Sequence, residues 1–166
     1  ALRLTALDEK ASAAGLVRGQ ALADARAIYP QIDVTQEDEA KDRSLLEAVA
    51  DWCDRYTPLV SVDMGSDSRA GGLMLDITGC AHLFGGEKEL VSDLLVRLFH
   101  QGFAASCAVA PTPGGAWALA RFRRDGSDEM ACLVTRRNLA DALESLPLRA
   151  LRLEQDILSG LARVGL

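Results

Sequence analysis

Leu73-Met74-Leu75-Asp76-Ile77-Thr78-Gly79-Cys80-Ala81-His82-Leu83-Phe84-Gly85-Gly86 decides how the rest of the chain is read. Leu73, Leu75 and Ile77 alternate with Met74, Asp76 and Thr78. That is the period of a half-buried strand, and Gly79 ends it. A second apolar run, Leu59 to Val62, lies upstream and stops at Asp63. Residues 64–72 between the two runs are polar and rich in Gly and Ser, which reads as a loop. The pattern predicts two strands joined by a long loop, with an acid where the first strand ends. Such an acid can present a metal ligand, and a pair of divalent ions needs several carboxylates close together. The next residue is Met64, whose thioether is a poor donor for Mg2+.

Working outward, Leu2, Leu4 and Ala6 alternate with Arg3 and Thr5 and predict a short strand. An Ala-rich helix follows up to Gly15, then a turn over residues 15–19 and a helix over 21–28 that stops before Pro30. Thr35, with Asp38 three residues on, resembles a capping box. The helix behind it carries Leu45, Leu46, Val49, Trp52, Cys53 and Tyr56 on one face. Downstream, Glu87 opens an amphipathic helix built on Leu90, Val91, Leu94, Leu95 and Leu98, with Gly102 as its stop. Strands are expected over 103–110 and 131–134, and helices over 115–123, 138–145 and 154–163. Strands interleaved with helices indicate an α/β (α+β) sandwich of helices on a mixed sheet.

Composition narrows the function classes. The chain has 166 residues and 49% hydrophobic content, enough for one domain with a real core. Its apolar runs are too short to span a bilayer, and no signal-peptide pattern opens it. It does not begin with Met and is read as a piece of a longer protein. Cys53, Cys80, Cys107 and Cys132 stand far apart with no C-x-x-C pair, which argues against zinc and suits a reducing cytoplasm. The net charge is −6, unevenly spread: residues 1–100 carry 10 Lys+Arg against 17 Asp+Glu, and residues 101–166 carry 8 Arg against 7 Asp+Glu. An acidic chain gains little from counterion release, so strong DNA binding is not expected. Any weak nucleic-acid contact belongs to the second part, at Arg121, Arg123, Arg124, Arg136 and Arg137.

Several motifs in this order resemble the Y-family of translesion DNA polymerases. Gly15-Leu16-Val17-Arg18-Gly19 with the Ala-rich helix after it is similar to the family's finger segment. Ser61-Val62-Asp63 resembles the start of its Ser-Ile-Asp-Glu signature, and Leu75-Asp76-Ile77-Thr78-Gly79 its Leu-Asp-Val-Thr. Ser106-Cys107-Ala108-Val109-Ala110-Pro111 resembles the strand and turn that follow, and Leu146-Pro147-Leu148 the entry to the thumb. Three stretches, residues 77–87, 50–58 and 116–122, are similar to one branch, the polymerase-like subunit of a bacterial damage-induced mutagenesis system. The resemblance implies a partial fingers-like segment at 1–36, a palm-like domain at 37–137 and the start of a truncated, thumb-like helical segment at 138–166.

The departures from that pattern carry the functional expectation. Asp63 matches the Asp of the signature, but Met64 replaces its Glu, which makes Asp63 a vestigial ligand and leaves no catalytic, cofactor-binding or metal-binding residue. Asp63 and Asp76 are 13 positions apart, a longer connection than the family motif has. The finger Tyr and Arg that hold the incoming triphosphate align with Glu9 and Ser12, and the later Lys aligns near Trp117. A carboxylate repels phosphates, and a serine cannot replace a bidentate guanidinium. The first palm strand, on which the family carries a further metal-binding Asp, is expected upstream of residue 1. The resemblance thus implies a non-catalytic scaffold in damage tolerance and SOS-induced mutagenesis, without cofactor. It would link a mutagenic DNA polymerase, a RecA-like accessory protein and the sliding clamp, mostly through segments beyond residue 166. The alternative is an active translesion polymerase that recruits a substitute Mg2+ ligand such as Asp67. A third reading is a domain for protein–protein contact with no DNA role.

Overall fold

The computed structural model describes residues 1–63, 71–123 and 131–163. Met64, Asp67 and Arg124 therefore lie outside the described residues. The chain divides into two compact units, residues 1–52 with 62–73, and residues 53–61 with 74–166.

The first unit holds three helices: α1 (Glu9–Ala13), α2 (Leu22–Ile28) and α3 (Glu39–Trp52). Asp8 caps α1, accepting the Ala11 amide at 2.7 Å. The Leu2–Ala6 alternation yields a single antiparallel bridge, Arg3 to Ala21, rather than a full strand. Backbone bonds Leu4 N to Gln20 O and Leu22 N to Leu2 O lay the first residues along the turn before α2. This brings Leu4, Leu16 and Ala25 into one small core, with Leu7, Ala11, Leu22 and Ile32 around it. α3 starts later than Thr35 suggests. The cap is Asp38, whose side chain accepts the Lys41 amide at 3.1 Å. Leu45, expected on the apolar face of α3, is 52% exposed, while Ala50 is buried.

In the second unit a 3-10 turn, Cys53–Arg55, takes the chain out of α3, so Tyr56 falls beyond the helix that the spacing predicts. Two strands, β1 (Val60–Asp63) and β2 (Gly72–Leu75), form a two-stranded sheet, of which Val60, Ser61, Met74 and Leu75 belong to this unit. β2 ends one residue before Asp76 because that side chain turns back onto the main chain and accepts the Thr78 amide at 2.9 Å. A 3-10 turn, Ala81–Phe84, then leads into α4 (Glu87–His100) through Gly85 and Gly86, at φ 94° and 134°. The Gly85 and Gly86 amides donate to the His82 and Ala81 carbonyls, so this pair is a tight turn and its amides are spent internally. α4 buries Leu90, Val91, Leu94, Leu95 and Leu98, the residues its periodicity nominates.

A βαβ unit completes the core. β3 (Cys107–Val109) and β4 (Ala131–Leu133) pair in parallel, with Cys107 opposite Ala131, and α5 (Pro113–Phe122) crosses between them. α4 and α5 both pack on this pair, and α5 buries Ala118 and Leu119. α6 (Leu139–Glu144) and a 3-10 turn, Leu148–Leu151, pack on α5, and α7 (Gln155–Arg163) follows. The architecture is mixed α/β. Among the described residues the strands form two separate two-stranded sheets.

Candidate functional site

The strand end that the sequence singles out is built by a buried threonine. Thr57 is 2% exposed, and its hydroxyl donates to the Asp76 carbonyl and accepts the Leu59 amide. The Asp76 amide returns a bond to the Leu59 carbonyl at 3.0 Å. Thr57 thereby fixes where the chain enters β1 against where it leaves β2. Asp63 is the last residue of β1 and is half-buried. Asp76 is held below the usual carboxylate range by its hydrogen bonds from Thr78, so it is an ionised acceptor of that turn. Among the described residues no three His, Cys, Asp or Glu side chains gather into a cation site. Asp76 is engaged by the Thr78 amide, and the sequence places a thioether, a poor donor for Mg2+, at position 64.

The second unit holds a further constellation. Tyr56, 2% exposed, donates its hydroxyl to Asp93 at 2.7 Å, and its ring sits 5.2 Å from that of Phe84. Arg97 donates to both oxygens of the same carboxylate. Burial, then the Asp93 bond, raise the Tyr56 phenol well above its ordinary value. Arg97, then Tyr56, hold Asp93 low. A phenol so protonated and a carboxylate so engaged make a structural clamp.

The arginines nominated for nucleic acid fall into two groups. Arg121 stacks over the Trp117 ring at 5.2 Å, and Arg123 donates to the Ala131 carbonyl at 3.2 Å, so both brace the end of α5. Arg136 and Arg137 are exposed in the turn between β4 and α6, where the Asn138 side chain accepts the Thr135 amide and hydroxyl. Two arginines that the sequence pattern does not single out complete the picture. Arg149 lies over Phe122 at 5.3 Å and Arg152 over Trp117 at 4.7 Å. Their three-residue spacing after Pro147 was the available signal. Trp117 is half-buried among these guanidinium groups.

In the first unit, Glu9 and Ser12 lie on α1, with Glu9 exposed in its first turn. A cavity of about 440 Å³ opens beside it, lined by Arg3, Asp8, Lys10, Tyr29 and Asp33 among others. Its charges are of both signs and present no single-sign field to a triphosphate.

Comparison with known proteins fixes the lineage. The impB/mucB/samB family profile matches residues 3–121, from the Arg3 bridge through α5. The chain belongs to the impB/mucB/samB family. Membership in this Y-family group agrees with the strand, turn and helix motifs around Asp63, Leu75–Gly79 and Ser106–Pro111. Protein ImuB from two strains of Caulobacter vibrioides is 43% identical over 152 residues, which is 92% of this chain and 31% of each relative. ImuB is the branch to which residues 50–58, 77–87 and 116–122 point. The chain thus spans about a third of the length of the curated relatives it matches. No solved structure matches it. Among the described residues no helix is long and apolar enough to cross a membrane.

Proposed function

We propose that this chain is the palm-like portion, with adjoining finger- and thumb-like segments, of a non-catalytic polymerase-like scaffold in bacterial DNA damage tolerance. The observation that carries the reading is Met64 directly after Asp63 at the end of β1, where the Y-family signature has Glu. Glu9, Ser12 and Trp117 at the triphosphate positions point the same way. Losing one metal carboxylate costs several kcal/mol of transition-state stabilisation, on the order of a thousandfold in rate. Losing the phosphate contacts as well removes the binding energy that would hold a nucleotide.

On this reading the whole protein works in the cytoplasm, where it joins a mutagenic polymerase, a RecA-like accessory protein and the sliding clamp. Those contacts belong mostly to segments beyond residue 166, and the DNA contact of this portion is weak. Primer extension with Mg2+ or Mn2+ tests the proposal. No template-dependent incorporation is expected. Incorporation that disappears in Asp63→Ala would overturn it and establish a working polymerase with a substitute ligand.

A further inference from the structure

A strand edge at the start of the first unit is left open. The Leu22 amide donates to the Leu2 carbonyl, the Leu4 amide to the Gln20 carbonyl and the Gly19 amide to the Leu4 carbonyl, around the antiparallel bridge of Arg3 with Ala21. Main-chain groups of successive strand residues point to opposite edges. Leu2 and Leu4 therefore spend theirs on the turn before α2, and those of Arg3 and Thr5 point the other way. Among the described residues no hydrogen bond engages the amide or carbonyl of Arg3 or Thr5. The Arg3 side chain is itself tied back to the Gly19 carbonyl. Both residues line the cavity of about 440 Å³, and Tyr29, Ile32 and Val34 line it as well. All of them belong to the unit of residues 1–52 and 62–73. The alternation over Leu2–Ala6 is that of a strand, and the structure gives it a neighbour on one edge only.

We propose that the open edge of Arg3 and Thr5 takes up an extended segment of a partner protein as an added β-strand, seated in this cavity. An open strand edge selects another main chain, because amides and carbonyls in alternation are what it offers. A second run of chain, residues 31–35, lines the same cavity, which leaves room for one extended segment and not for the folded body of a second copy. Ile32, Val34 and Tyr29 give alternate side chains of that segment an apolar contact, so β-branched residues suit the inward positions. Residues 1–100 carry 10 Lys+Arg against 17 Asp+Glu, so basic residues suit the outward ones, and a polyanion is opposed. The inference deepens the scaffold reading and rests on it only for the partner being another protein. Primer extension decides that reading, and peptide binding decides this one.

The test is fluorescence anisotropy on the full protein with a labelled, end-capped peptide of alternating Val and Lys. Its twin, methylated on alternate backbone nitrogens, keeps the side chains and loses the main-chain donors. The first peptide is expected to bind and the methylated one to fail. Thr5→Pro deletes an amide on the open edge and is expected to weaken binding about fivefold, the size of one hydrogen bond. Thr5→Ala keeps that amide and is expected to retain binding, as is Ala6→Pro, whose lost amide points to the opposite edge. Circular dichroism melts verify the fold of each variant. Should Thr5→Pro fail to fold, the methylated peptide on the unaltered protein decides the outcome. An absence of binding by the first peptide overturns the proposal, and so does equal binding of the two peptides. Equal losses in Thr5→Pro and Ala6→Pro overturn it as well, because the edge would then have no part in the contact.

Discussion

The Tyr56 hydroxyl donates to Asp93 at 2.7 Å across 37 residues of sequence, and Arg97 grips the same carboxylate one helical turn further along α4. The clamp joins the approach to β1 with α4, the helix that buries Leu90, Val91, Leu94, Leu95 and Leu98. Removing only the hydroxyl in Tyr56→Phe leaves the ring on Phe84 and costs about 1 kcal/mol. A thermal melt reads it, and a cycle with Asp93→Asn should show the two losses to be non-additive.

The same clamp sets a pH profile. Asp93 is held low in the folded state, so its contribution is present above the unfolded Asp value of about 3.9 and is lost as pH falls through the folded value. Tyr56 is held high, so its contribution is intact below about pH 10 and is lost as pH rises through the folded value. Melting temperature against pH should fall at both ends, and Tyr56→Phe should flatten the alkaline limb.

Restoring the missing signature carboxylate should not restore chemistry. On the proposed reading, Met64→Glu is expected to give no template-dependent extension with Mg2+ or Mn2+, because Glu9, Ser12 and Trp117 would still replace the residues that hold the triphosphate in a polymerase. Extension by that variant would show that one side chain had silenced the site.

The nominated arginines should separate by what each does in the fold. Arg123→Ala removes a bond to the Ala131 carbonyl between α5 and β4, and should lower stability by about 1 kcal/mol. Arg136→Ala and Arg137→Ala, both exposed, should change stability by less than about 0.5 kcal/mol. A DNA titration at low salt should register charge reversal at Arg136 and Arg137.

Two glycines should respond with opposite sign. A Cβ at Gly86, φ 134°, would sit 2.8 Å from a Glu89 carboxylate oxygen, and Gly86→Ala should cost about 1–3 kcal/mol. Gly114 lies in the first turn of α5 with nothing within 4 Å of such an atom, and Gly114→Ala should stabilise by about 0.5 kcal/mol. Denaturant midpoints for the pair check both.

Local chemistry was legible in the sequence where it acts alone. Glu87 and Gly102 bracket α4 because helix period and a glycine stop are properties of adjacent residues; Phe103 then bonds back to Leu98 past that glycine. The strand predicted through Ile77 ends early, at Leu75, because the Asp76 side chain turns back to accept the Thr78 amide. Thr35 lost the cap to Asp38 because either side chain can fill that role, and only the position of the first helical turn decides. The Leu2–Ala6 strand shrinks to a bridge because a strand exists only where a partner lies beside it. The placement of Arg149 and Arg152 was illegible for a similar reason: nothing in Leu148-Arg149-Ala150-Leu151-Arg152 says that Trp117 and Phe122 lie beneath. Asp63 was found from the strand pattern, and β1 does end on it.

The parallel pairing of β3 with β4 also governs the order of assembly. Cys107 meets Ala131 only after the whole of α5 has been laid across the gap, so this pairing is rewarded late, once the entropy of closing a long segment has been spent. Refolding should therefore be limited by the docking of α5. A substitution on its buried face, such as Leu119→Ala, would slow folding more than one at the edge of the β1–β2 pair.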